Sequence, residues 1–144
     1  VKDLTDGQFE EFMPDPTPAS STQNLIFCSG KVYYDLLEAR EGIRNSQSTI
    51  IRIEQFYPFN TDKFKEVVKP YAKAKRIVWC QEEPYNMGAW NFLCPILEEA
   101  LGRRPHYAGR TATASPATGS LTLHKIEQAE LIADALNQTQ TIRS

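Results

Sequence analysis

Short apolar runs alternate with helix-length amphipathic stretches from residue 24 to residue 136, and that alternation allows few folds. Leu25-Ile26-Phe27-Cys28, Thr49-Ile50-Ile51-Arg52-Ile53 and Arg76 to Cys80 read as strands, with a weaker fourth over Pro105-His106-Tyr107-Ala108-Gly109. Uninterrupted apolar runs of this length fit strands covered on both faces. Ser29-Gly30 turns the first into a helix with Val32, Leu36 and Leu37 on its apolar side and Gly42 beyond its end. Asn60-Thr61-Asp62 opens a second, with Phe64, Val67, Val68 and Tyr71 at helical spacing. A third carries Trp90, Leu93, Leu97 and Leu101, is interrupted or started at Pro95, and ends at Gly102; the last runs from Leu121 or Thr122 to Leu136. The pattern predicts βαβ units: an α/β fold of three layers (αβα) around a mainly parallel sheet. A chain of 144 residues is the right size for one such domain.

Residues 1–23 differ from residues 24–144. The first 20 carry one Lys against Asp3, Asp6, Glu10, Glu11 and Asp15, and Pro14, Pro16 and Pro18 alternate, removing backbone donors. This composition predicts an interdomain linker, or an extension lying on a neighbouring domain through Phe9, Phe12 and Met13. Val1 in place of an initiator Met reads as a piece cut from a longer chain.

A formal charge of −2 gives no basic footprint for nucleic acid, and no apolar run approaches the roughly 20 residues that span a bilayer. Cys28, Cys80 and Cys94 sit in apolar surroundings, as expected of reduced, buried thiols. Ser29-Gly30-Lys31 lies between strand and helix, yet Leu25 and Val32 stand where a phosphate loop needs Gly and a hydroxyl residue. Two histidines, no Cys–His pair near in sequence and no metal-ligand spacing leave no catalytic or metal residues to nominate. The distinctive stretch is Trp79 to Trp90. Glu82 and Glu83 follow a strand there, pointing to opposite sides if the chain is still extended, before Pro84 breaks the pairing. Arg110 to Gly119 is rich in hydroxyls and small residues, and stays ordered only by lying against something else.

Phe27 to Leu36, Ile53 to Phe59, Trp79 to Trp90 and Tyr107 to Gly119 occur in one order at sensible spacings. Together they closely resemble the C-terminal domain of the thiamine-diphosphate-dependent first component of the 2-oxoglutarate dehydrogenase complex. The resemblance implies a transketolase C-terminal-domain-like fold with one antiparallel strand allowed. It implies a parent enzyme, using thiamine diphosphate and Mg²⁺, that decarboxylates 2-oxoglutarate in the citric acid cycle and passes a succinyl group to the lipoyl arm of the succinyltransferase. The family's cofactor motif is missing from this chain, and Met87 stands where a Gln is expected. No cofactor is therefore expected in this chain itself. It is expected to be inactive alone, supporting a homodimer and packing on the parent's N-terminal thiamine-binding domains. The implied location is the bacterial cytoplasm, or the mitochondrial matrix in a eukaryote. Carried over by position, Gln55, Asp62 and Lys63 are the candidates for a regulatory acetyl-CoA or AMP molecule; Trp90, just past the Pro84 break, Glu82 and Glu83 at its margin, and Arg110, Ser115 and Thr118 of the hydroxyl-rich stretch are the candidates for an interface with another domain or subunit. The alternative is a stand-alone α/β ligand-sensing or partner-binding module without catalysis.

Overall fold

The computed structural model describes residues 10–111 and 121–138. Five strands, β1 (Phe12–Met13), β2 (Asn24–Cys28), β3 (Ser48–Ile53), β4 (Arg76–Pro84) and β5 (His106–Arg110), form one sheet in the order β1-β3-β2-β4-β5. β3, β2, β4 and β5 are parallel, and β1 is antiparallel to β3. The helices are α1 (Val32–Glu41), α2 (Thr61–Val68), α3 (Trp90–Leu101) and α4 (Leu121–Ala135), with a 3-10 turn over Lys69–Tyr71.

The register explains why β2 and β4 are apolar at successive positions. Leu25 pairs with Ile77 and Phe27 with Trp79, facing one side; Ile26 pairs with Val78 and Cys28 with Cys80, facing the other. The first set packs with Phe64, Leu93 and Leu97 of α2 and α3; the second packs with Val32, Leu36, Leu131 and Ile132 of α1 and α4. The sheet is thus covered on both faces, giving the expected three layers. Pro95 sits inside α3 rather than at its start. By the i→i−4 pattern its missing donor would have served Asn91, which is exposed and can turn its carbonyl to water.

The boundary expected at residue 23 is not where the packing stops. Phe12 is buried against Phe59 and Phe64, at centroid separations of 5.5 and 5.6 Å, and pairs with Ile53. Asp15 is buried on Arg40 of α1. At least from residue 12, then, the segment read as a linker docks on this sheet. Phe9 lies outside the described residues.

A crevice at the switch point of the sheet

β2 hands the chain to β3 on one side, and the chain then crosses back to β4 and β5 on the other. In open α/β sheets the crevice outside the carboxyl ends at such a reversal is where ligands and partners are met. Here it holds a cavity of about 460 Å³ walled by Ser29 after β2, Phe56 and Tyr57 after β3, Trp79 and Glu83 on β4, and Phe92 of α3.

Gln81 builds one wall. β4 continues to Pro84, four residues beyond the end expected at Cys80, because the chain stays extended and alternates. Trp79, Gln81 and Glu83 therefore fall on one face and Glu82 on the other. The buried Gln81 amide oxygen accepts from Trp79 Nε1 (2.8 Å) and from the backbone N–H of Trp90 (3.1 Å). Its two Nε2 protons are shared among the carbonyls of Glu83, Pro84 and Met87, all within 3.0 Å. One side chain thus ties β4, the loop and the first turn of α3 together. Sequence reading passed over it because a lone polar residue at a strand end looks like surface; the signal was its place two residues after Trp79 on an alternating strand.

Two glycines are fixed by this construction. Gly88 has φ +74°, and a Cβ there would lie 3.0 Å from Gln81 Nε2 and from Glu83 Cβ. We expect Gly88→Ala to cost about 1–3 kcal/mol in urea unfolding, from a disfavoured backbone and a displaced hub; a cost below about 0.5 kcal/mol would contradict this picture. At Gly109 β4 bulges past β5, and a Cβ would meet Tyr107 Oη at 2.5 Å and the Gln81 carbonyl at 2.8 Å. Burial pushes the Tyr107 phenol up to about 12, and its hydroxyl donates to the Arg110 carbonyl at 2.7 Å.

Glu82 and Glu83 do diverge. The Glu82 carboxylate accepts from Gln128 of α4 (3.2 Å), whereas Glu83 is exposed on the crevice. Trp90 does not present an interface: it is 2% exposed, covered by this chain's own Tyr107 and Tyr85 at 5.3 and 6.2 Å and by the Arg104 guanidinium. Position alone, just past a Pro break, misplaced it. Arg110 is likewise engaged within the chain, donating to the Glu82 carbonyl (2.7 Å), Glu127 (3.2 Å) and Gln128 (3.0 Å). Ser115 and Thr118 lie outside the described residues.

The three candidate ligand residues are near in sequence to the crevice but do not line it. Gln55 donates its amide to the Pro58 carbonyl (3.0 Å). Asp62 and Lys63 are exposed on the first turn of α2, where the Lys63 backbone N–H is already capped by Asn60 Oδ1 at 3.0 Å.

Cys28, Cys80 and Cys94 are free and buried, and burial raises all three thiols above their ordinary range. Thiolate is the reactive form. Labelling without denaturant should therefore be slow at each, and fast modification of Cys80 would mean that β4 is wrongly placed.

Comparison with known proteins agrees with the motif resemblance. A family model described as 2-oxoglutarate dehydrogenase C-terminal matches residues 1–136. The 2-oxoglutarate dehydrogenase E1 component of Haemophilus influenzae is 43% identical over 144 aligned residues, covering 95% of this chain and 15% of the relative. That of Rickettsia typhi is 47% identical over 117 residues, covering 78% and 12%. A solved chain described as a split gene transketolase, inactive beta4 tetramer, superposes with TM-score 0.57 at 18% identity, covering 96% of this chain and 46% of its own. That likeness establishes a transketolase-like fold. The chain spans about one seventh of the length of these E1 relatives, and over that span it belongs to the 2-oxoglutarate dehydrogenase C-terminal family.

Proposed function

We propose that this chain is the C-terminal domain of a 2-oxoglutarate dehydrogenase E1 component, an enzyme that decarboxylates 2-oxoglutarate with thiamine diphosphate and Mg²⁺ and passes the succinyl group to the lipoyl arm of a succinyltransferase complex. The observation that carries it is 43% identity across 95% of the chain.

The crevice does not fit a magnesium-bound diphosphate. Glu83, an anion, is the sole charged side chain on the crevice wall, and no group of three or more His, Cys, Asp or Glu is arranged to hold a metal among the described residues. The domain's part is accordingly structural: it packs on the preceding domains and supports a homodimer, in the cytoplasm of a bacterial cell. A regulatory acetyl-CoA or AMP would meet Lys63 on the first turn of α2, next to Asp62, where cation and helix dipole both favour phosphate, with Gln55 as the third candidate contact.

The full-length polypeptide should release CO₂ from 2-oxoglutarate when supplied with thiamine diphosphate and Mg²⁺; no turnover would overturn the assignment. Calorimetry of residues 1–144 with the same additions should show no saturable heat, and micromolar binding would move the cofactor site into this domain.

A further inference from the structure

Four of the large apolar side chains that this chain leaves exposed lie on or just beyond one rim of the sheet: Tyr57 (84%), Met87 (50%), Phe92 (44%) and Tyr85 (37%). Tyr57 and Phe92 wall the switch-point crevice and also a second cavity of about 400 Å³, whose far side is Phe59, Ile96 and Ala100. The two cavities share these two rings and together make a groove with an apolar floor over the α2/α3 side of the rim, with Thr61, Lys65 and Glu99 at the margin of the second. Little in the crevice half is built to recognise a polar small molecule. The Gln81 amide is fully engaged inside the wall, leaving Ser29, Glu83 and the Tyr57 hydroxyl as the polar groups that line the crevice.

We infer that this groove is the seat of a segment from the preceding part of the same polypeptide, which places a large apolar side chain between Tyr57 and Phe92 and a Lys or Arg opposite Glu83. The inference rests on the reading of this chain as the end of a longer E1 polypeptide. The matched region is C-terminal in relatives of which it makes up 15%, so most of their length precedes it. The described chain also arrives at this rim. β1 runs antiparallel to β3, so the carbonyl of Glu11 accepts from the N–H of Glu54 at 2.8 Å, two residues before Phe56. A tethered segment meets the groove at an effective concentration on the order of millimolar, so a small patch suffices. A freely associating second copy needs about 1,000 Å² or more of good contact.

Tyr57 is the sensitive probe because it is the most exposed of these rings among the described residues. In the full-length polypeptide carrying Tyr57→Cys, maleimide labelling should run at least about tenfold slower than in denaturant, as for a site that reacts only when the contact opens. Phe92→Cys should behave alike, and adding Glu83→Lys should speed its labelling several-fold. Labelling of Tyr57→Cys within about twofold of the denatured rate would overturn the inference, since such a rate leaves no room for a contact that must open first. So would protection lost on dilution, which would seat a second copy there instead. Hydroxyl-radical footprinting of the unmodified polypeptide reads the same exposure without substitution: Tyr57 should oxidise more slowly than Tyr34, although it is the more exposed of the two in this domain. Turnover of 2-oxoglutarate is measured separately. An active enzyme with a freely labelled position 57 would sink the docking surface and leave the function standing; a protected groove in a polypeptide that does not turn over would do the reverse.

Discussion

Gln81→Leu should lower the unfolding free energy of this chain by about 3–5 kcal/mol, a loss seldom seen for one polar residue. Leucine is of similar size and fills the space, so the cost is not a cavity. It comes from the partners left behind: the Trp79 indole N–H, the Trp90 backbone N–H and three loop carbonyls would lose their bonds at or near a buried site. A buried donor or acceptor deprived of its partner costs about 1–3 kcal/mol, and relaxation toward water recovers part of the sum. Gln81→Glu is the informative companion. It keeps acceptors for both N–H groups but sets a carboxylate against three carbonyls, so it should destabilise more at pH 8 than at pH 5, where a buried carboxyl is more readily protonated. Urea unfolding at both pH values measures this. A loss below about 1 kcal/mol for Gln81→Leu would mean that the loop between β4 and α3 does not depend on the hub.

The second large effect is expected at Asp15. Its carboxylate is buried and accepts from both Arg40 terminal nitrogens, from the Ile50 N–H at 2.8 Å and from the Thr17 N–H at 2.9 Å. Arg40 is itself buried and also donates to the Ser48 carbonyl (3.1 Å) and Thr17 Oγ1 (3.0 Å). Asp15→Ala strands that cation, and breaking a buried pair from one side costs about 3–5 kcal/mol. Removing both charges, as in Asp15→Ala with Arg40→Met, should recover part of the loss, because the pair must also offset its own desolvation. Burial alone would raise the Asp15 carboxyl, but the bonds from Arg40, Ile50 and Thr17 outweigh it and hold the carboxyl below its ordinary value. Protonation therefore favours the unfolded chain. The contribution is fully present above about pH 4 and is lost as pH falls further. Wild-type stability measured from pH 6 to pH 2.5 should decline on the acid side, and the Asp15→Ala variant should decline less steeply. Parallel curves would show that other carboxylates govern the acid limb.

The layers were readable because β2, β3 and the first half of β4 are apolar on two faces at once, which few other arrangements tolerate, and because Phe64, Leu93 and Leu97 fall at helical spacing. The ends of elements were harder. β4 runs on through Gln81, Glu82 and Glu83, residues whose polarity marks the end of a strand unless a buried amide finds five partners that only the folded loop supplies. Trp90 was assigned to an interface by its neighbours in sequence, whereas its covering comes from Tyr107 and Arg104 across the fold. Asp15 and Arg40 are 25 residues apart. No local pattern links them, so a segment of alternating prolines read as linker although its carboxylate is buried. The divergence of Glu82 and Glu83 needed only the two-residue period of a strand, and it holds.

The N-terminal segment has a consequence for any shortened form of this domain. β3 would otherwise be the outermost parallel strand, offering a row of bare amides over Ser48-Thr49-Ile50-Ile51-Arg52-Ile53, a β-branched, weakly charged template of the kind that recruits other chains edge to edge. Residues 11 to 19 close that row: Glu11 takes the N–H of Glu54, β1 pairs with Ile53 and Arg52, the Asp15 carboxylate takes the N–H of Ile50, and the Ala19 N–H is held by the Thr49 hydroxyl. A side-chain carboxylate here stands in for the next strand. A version beginning at residue 24 would keep most of its hydrophobic core and still be insoluble, because what it lost was a guard against self-association.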